Sequence, residues 1–168
     1  MAMKMNKKGY TLTEAMMTVA ILGILGGSAA PIMVRVNNFW RQTTARNEIE
    51  RDVRASLDQI NRTLRQADRK TVNIDQVSGQ PPFSRITFNV EDGSRLQFYQ
   101  SGNKLIMVRS STTVTTSELS RRVGFIAFTY PRTDDPSIVS VAVTMQAPTY
   151  LGGKKALQLS ISKVRIMN

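Results

Sequence analysis

From Ala15 to Val34 the chain carries no formally charged side chain over 20 consecutive positions, most of them apolar. A helix needs about 20 such residues to cross the hydrocarbon core of a bilayer, so the run predicts a membrane-spanning segment. Lys4, Lys7 and Lys8 precede it, with no acid among the first nine residues. Juxtamembrane Lys and Arg set orientation, which places that end on the cytoplasmic side and the bulk of the chain outside the cytoplasm. Glu14 stands at the mouth of the run. A carboxylate there costs about 2.5 kcal/mol or more at the bilayer centre, and less near the interface, unless it is neutralised or paired. Its natural partner is an amine. A cut after Gly9 would give Tyr10 a positive α-amino group about one helical turn away, on the same chain or on a neighbour. A paired charge is tolerated in apolar surroundings where a lone one is not. The alternative is a glutamate solvated among the headgroups.

The stretch Lys7-Lys8-Gly9-Tyr10-Thr11-Leu12-Thr13-Glu14 resembles the class III signal of type IV prepilins and pseudopilins, in which a basic leader ends in glycine and a glutamate follows a few positions later. The resemblance implies cleavage between Gly9 and Tyr10 by a prepilin peptidase and methylation of the new amino group on Tyr10. It also implies an assembly role for Glu14, and places Pro31 where the helix bends or melts on packing into a filament. Two positions depart from the commonest pattern: Tyr10 replaces the usual phenylalanine and Thr13 an aliphatic residue. The competing reading is an ordinary secretory signal cut after Ser28-Ala29-Ala30. Against it stand Pro31 just beyond the cut, Glu14 at the start of the apolar run, and a helix that continues past the cut. The absence of cysteine excludes a lipoprotein and is compatible with an envelope protein whose fold needs no disulfide.

Beyond Val34 the helical pattern persists but its character changes. Arg35, Arg41, Arg46 and Arg51 appear, and Phe39 and Trp40 lie where interfacial aromatics anchor a helix, or where the head could cover them. Ile49, Val53, Leu57, Ile60, Leu64 and Ala67 recur at steps of three and four and draw one apolar stripe. Glu50 with Arg54 and Asp58 with Arg62 are acid-before-base pairs that support the exposed face. Arg65, Arg69 and Lys70 suit a final turn, so the helix is expected to end near Lys70. Gly23 and Gly27 form a small-xxx-small pair suited to close helix approach.

Past Gln80-Pro81-Pro82 the period switches from helix to strand. Ile86, Phe88 and Val90, the turn Glu91-Asp92-Gly93-Ser94, and Leu96 with Phe98 make a hairpin; Ser101-Gly102-Asn103 turns into Leu105 to Val108. Further strands are expected over 123–130, 139–145 and 157–166. Val139, Val141, Val143 and Met145 share one face, as do Leu157, Leu159 and Ile161. Residues 110–120, 133–137 and 146–155 read as strand edges or loops. The fold class is α+β, a long N-terminal helical spine packed on an antiparallel β-sheet head. The segments are a basic leader (1–9), a membrane or filament-core helix (10–34), an amphipathic half (35–70) and a β-rich head (71–168).

The 168 residues carry a formal charge of +11, of which the three leader lysines supply 3. Diffuse positive charge suits phospholipid headgroups, nucleic acid or acidic partner subunits without choosing among them. There is no histidine, no cysteine and no phosphate-cradling glycine loop, so nucleophile–base pairs and the usual transition-metal sites lack their parts. No enzyme and no cofactor are expected; Asp134-Asp135 with Glu91-Asp92 offer oxygen ligands for calcium in head loops as the alternative. The reading is a minor pilin-like structural subunit, similar to larger-headed minor pilins and J-type minor pseudopilins of type II secretion, stored in the inner membrane before assembly at or near a filament tip. The partners so implied are other pilins or pseudopilins, the prepilin peptidase, an inner-membrane assembly platform and the lipid bilayer. The second reading is a DNA- or surface-binding module using Arg85, Arg95, Lys104, Arg109, Arg121 and Arg122 on a competence or adhesion filament.

Overall fold

The computed structural model describes residues 9–149 and 155–167. These form one long helix, α1 (Leu12–Arg65), a short 3-10 turn (Arg69–Thr71) and eight strands. The strands are β1 (Asn73–Asp75), β2 (Arg85–Asn89), β3 (Arg95–Ser101), β4 (Lys104–Ser110), β5 (Val114–Ser120), β6 (Val123–Thr129), β7 (Ile138–Pro148) and β8 (Lys155–Arg165). The chain divides into two compact units, Met1–Trp40 and Arg41–Asn168.

In the first unit, every described residue up to Asn37 is exposed. The helix runs on through Pro31, whose ring nitrogen cannot donate to Gly27. Hydroxyls along it satisfy themselves locally: Thr18 donates to the Ala15 carbonyl at 2.8 Å and Ser28 to that of Leu25 at 2.9 Å.

In the second unit, the expected stripe is the helical side of the core: Ile49, Val53, Leu57, Ile60, Leu64 and Ala67 are all buried, and Ala45 joins them. What covers the stripe is two antiparallel sheets, not the single sheet expected. One has the order β1-β2-β3-β4-β5 and the other β6-β7-β8. Gln59 reaches Met107 on β4, and Asn61 donates to the Ser162 hydroxyl on β8 at 3.1 Å, so the helix seats on both. The core also holds Phe88 and Phe98, stacked with centroids 6.1 Å apart.

The hairpin turns are as expected. Gly93 (φ 77°) and Gly102 (φ 60°) take the left-handed conformation that the β2–β3 and β3–β4 connections require. The sheets are tied along the outer edge of β6: Phe128 N–H donates to the Phe83 carbonyl, Ile126 N–H to Gln100 Oε1 and Val123 N–H to the Asn103 carbonyl. Phe83 holds a positive φ of 60°, a costly conformation for an aromatic residue, with its carbonyl in this tie.

Five further expectations change. The helix ends at Arg65, short of Lys70, because the exit is captured by β2: Asp68 N–H bonds the Asn89 carbonyl, Asn89 N–H bonds Thr71 Oγ1, and the Asp68 side chain caps the 3-10 turn. Residues 110–120 include a full edge strand, β5. Gln146–Pro148 continue β7 and Lys155 opens β8; the rest of that expected loop, 150–154, lies outside the described residues. Arg62 bonds Gln59 and not Asp58, whereas Glu50 and Arg54 do pair, loosely, at 3.8 Å. Finally, Val139, Val141, Val143 and Met145 are buried, but Leu157, Leu159 and Ile161 point to solvent.

Candidate functional site

The N-terminal end of α1 is built by four residues. Thr11 stands at the N-cap: its carbonyl accepts the first helical bond from Ala15 N–H, and its hydroxyl accepts from Glu14 N–H at 3.3 Å. Glu14 answers by accepting from Thr11 N–H at 3.5 Å. This reciprocal exchange is a capping box, which satisfies two of the helix's orphan donors and puts a carboxylate at the positive end of the helix dipole. Tyr10 is 87% exposed, and around Gly9 there is nothing within 4 Å of where a Cβ would stand. Tyr10 thus stands clear of the other described residues, and the Glu14 carboxylate turns back over the backbone at Thr11. The sequence reading assigned Glu14 to an amine or to headgroup water and missed the box, although Thr-x-x-Glu before an apolar run is its signature.

The remainder of the segment is an apolar surface without cover. Leu12, Met16, Met17, Val19, Leu22, Ile24, Leu25 and Met33 are all exposed. Among the described residues no part of its most apolar window is buried, and the helix is long enough to cross a membrane. Such a helix, apolar all round, requires lipid or other helices about it. Gly23, Gly26 and Gly27 have open space at their Cβ positions, with no described residue outside the local helix within 4 Å of them. Phe39 and Trp40 are exposed as well. Lys4, Lys7 and Lys8 lie outside the described residues.

The six cations proposed for nucleic acid do not form a free basic field. Arg85 pairs with Asp75, Arg109 with Asp92, and Arg121 and Lys104 both with Glu118. Arg122 spans Glu48 at 2.7 Å and Asp52 at 2.9 Å, clamping the β5–β6 connection to the helix. Arg95 is exposed and lies near enough to Asp75 for its charge to be felt there. Hydrogen bonding from Arg85 holds the Asp75 carboxyl below its usual range, and Arg121 and then Lys104 do the same for Glu118. Asp92 and Asp135 are lowered chiefly by the serines two residues on, Ser94 and Ser137, with which they close turns. The double anchor of Arg122 was legible in one respect: Glu48 and Asp52 are like charges at i,i+4, a spacing that destabilises a helix unless a cation joins them.

With that geometry in view, the family comparison is specific in extent. Residues 4–30 match the family model of the prokaryotic N-terminal methylation motif. The chain is thus type IV prepilin-like at its N-terminus, and the motif supports processing there. The match takes in Gly9, Tyr10 and Glu14 and stops short of Pro31 and of every strand. Neither the comparison with curated proteins nor that with solved structures returned a match. The apolar helix and the motif together fit a membrane-anchored protein that assembles with other pilin-like subunits.

Proposed function

We propose that this chain is a minor pilin- or pseudopilin-like subunit. It is held in the inner membrane with its leader in the cytoplasm, cut between Gly9 and Tyr10 by a prepilin peptidase, and methylated on Tyr10. An assembly platform then draws it into a thin filament, at or near the tip. The observation that carries this reading is the apolar surface of α1 from Leu12 to Val34, exposed among the described residues and headed by the glutamate of a capping box. Lipid covers such a surface in the stored state, and helices of neighbouring subunits cover it after extraction. A freed amine on Tyr10 would join Glu14 in that environment, in its own chain or across a subunit boundary. A DNA-capturing role draws less support, because five of its six cations already have carboxylate partners within the head.

The first test is intact mass and N-terminal sequence from membranes with and without the peptidase. The expected mature chain begins at methylated Tyr10 only when the peptidase is present; a peptidase-independent cut after Ala30 would sink the reading. Glu14 has two roles that one pair of variants separates. Glu14→Gln keeps the capping box and removes the charge, whereas Glu14→Ala removes both. Loss of assembly in both variants, with processing intact, assigns the charge to subunit docking. Loss in Glu14→Ala alone assigns it to the cap.

A further inference from the structure

Strand β8 is inverted. Its alternation sets Gln158, Ser160 and Ser162 inward and Leu157, Leu159 and Ile161 outward, where they are 66%, 62% and 61% exposed. A half-buried strand ordinarily does the reverse. The register is not free to slip by one residue to correct this: β8 pairs with β7 along its whole length, and Asn61 holds Ser162 from the helix. Val164, buried at the C-terminal end, locks the same phase. The outward residues continue a row across the sheet, since Leu159 lies opposite Thr144 and Thr144 opposite Phe125, itself 39% exposed.

The same strand is an edge. Among the described residues no strand pairs with β8 on the side away from β7. The other edges are managed. β1 has three residues, β5 is mostly Ser, Thr and Glu, and the outer edge of β6 is satisfied by Phe83, Gln100 and Asn103. An eleven-residue edge whose outer face is apolar over Leu157, Leu159 and Ile161, with the cations Lys163 and Arg165 only toward its end, is an arrangement that natural sheets avoid unless something pairs with it.

Charge selects the occupant. Residues 150–168 contain Lys154, Lys155, Lys163 and Arg165 and no acid. In an antiparallel pair of two copies, Lys163 and Arg165 of each strand would meet a strand that offers no carboxylate to pair with them, and like charges set opposite one another destabilise a sheet. We propose that β8 is a strand-addition site for a different polypeptide, whose added strand carries apolar residues at alternate positions and Asp or Glu at its ends. Backbone pairing along β8 gives the affinity, while Leu157, Leu159, Ile161 and Phe125 with Lys163 and Arg165 give the selectivity. The inference stands apart from the filament reading, because it rests on the head alone.

The test uses the full chain in phosphatidylcholine nanodiscs and two fluorescent nine-residue peptides of alternating valine and threonine, one ending in glutamates and one in lysines. The acid-ended peptide is expected to bind about tenfold or more tightly than its twin, and Leu159→Lys to weaken it by a similar factor. Leu159 is mostly exposed, so that variant should unfold in urea at the wild-type midpoint. The pair Lys163→Glu and Arg165→Glu should reverse the preference toward the lysine-ended peptide, a readout that mere loss of structure does not give. Equal binding of both peptides, binding of neither, or a preference untouched by the charge reversal overturns the proposal. Self-association abolished by Leu159→Lys would instead assign the surface to a second copy. Attachment to phosphatidylglycerol vesicles, abolished by the same change and without peptide binding, would assign it to lipid.

Discussion

The helix α1 is one element with two kinds of apolar surface. Before Trp40 its Leu, Ile, Met and Val side chains lie all round the helix and all are exposed. After Arg41 they keep to one stripe, Ala45 to Leu64, and are buried. The residue types overlap; the spacing differs. An apolar stripe at steps of three and four can be covered by one partner on one side, and the two sheets supply it. An all-round apolar surface cannot be covered that way, and its partners must come from outside the chain. The first half of α1 is thus an exposed apolar element among the described residues, and the second half a packed one.

The contrast can be broken most severely by deletion. A chain lacking residues 1–40 is expected to be soluble without detergent and to unfold in one cooperative urea transition, whereas the full chain requires detergent or lipid. Aggregation of the shortened chain would mean that its core is not self-sufficient. Next in size, Ile60→Ala or Leu64→Ala should cost the head about 2–5 kcal/mol, since both side chains are fully buried. The matching change Leu22→Ala should alter the same unfolding free energy by less than about 0.5 kcal/mol. If the two costs came out equal, the division of α1 would fail.

Arg122→Ala tests the polar link between the helix and the head and should cost about 1 kcal/mol, less at high salt, because the groups are partly exposed. Double-mutant cycles with Glu48→Gln and Asp52→Asn would show which carboxylate carries the coupling. The smallest effect concerns pH. Arg85 depresses the Asp75 carboxyl below its usual 3.8, so its contribution is fully present above that value and is lost as pH falls through the lower folded one. Stability should therefore decline below about pH 4, with a shallower slope in Asp75→Asn. An unchanged slope in the variant would show that the Asp75–Arg85 pair is solvated away.

Much of the head was legible from local pattern. The stripe Ile49 to Ala67, the hairpin around Gly93 and the turn at Gly102 follow from periodicity and from the φ values that only certain residues adopt without cost. The end of the helix was not, because Arg65 to Lys70 is helix-compatible in isolation. Bonds from Asp68 and Asn89, separated by 21 positions, stop it. The orientation of β8 was not legible either. Leu157, Leu159 and Ile161 alternate as a core strand would, and only pairing with β7 and the Asn61–Ser162 bond fix which face is inside. At the candidate site, the prepilin-like motif was legible and residues 4–30 match its family model, while the capping box was readable in Thr11-x-x-Glu14 and overlooked.

What the sequence determined by itself was whatever depends on residues near one another along the chain: the charge-free run, the N-terminal methylation motif, the helical stripe and the turns. What only the tertiary structure decided was the fate of each polar and apolar group whose partner is distant. Arg122 became a clamp on Glu48 and Asp52, Gln100 a staple to β6, and β8 an outward-facing edge. The physical reason is that helix and turn chemistry is a matter of separations of two to four residues. Strand register and ion pairing, in contrast, join positions tens of residues apart, and local periodicity is blind to which of its two phases will face the core.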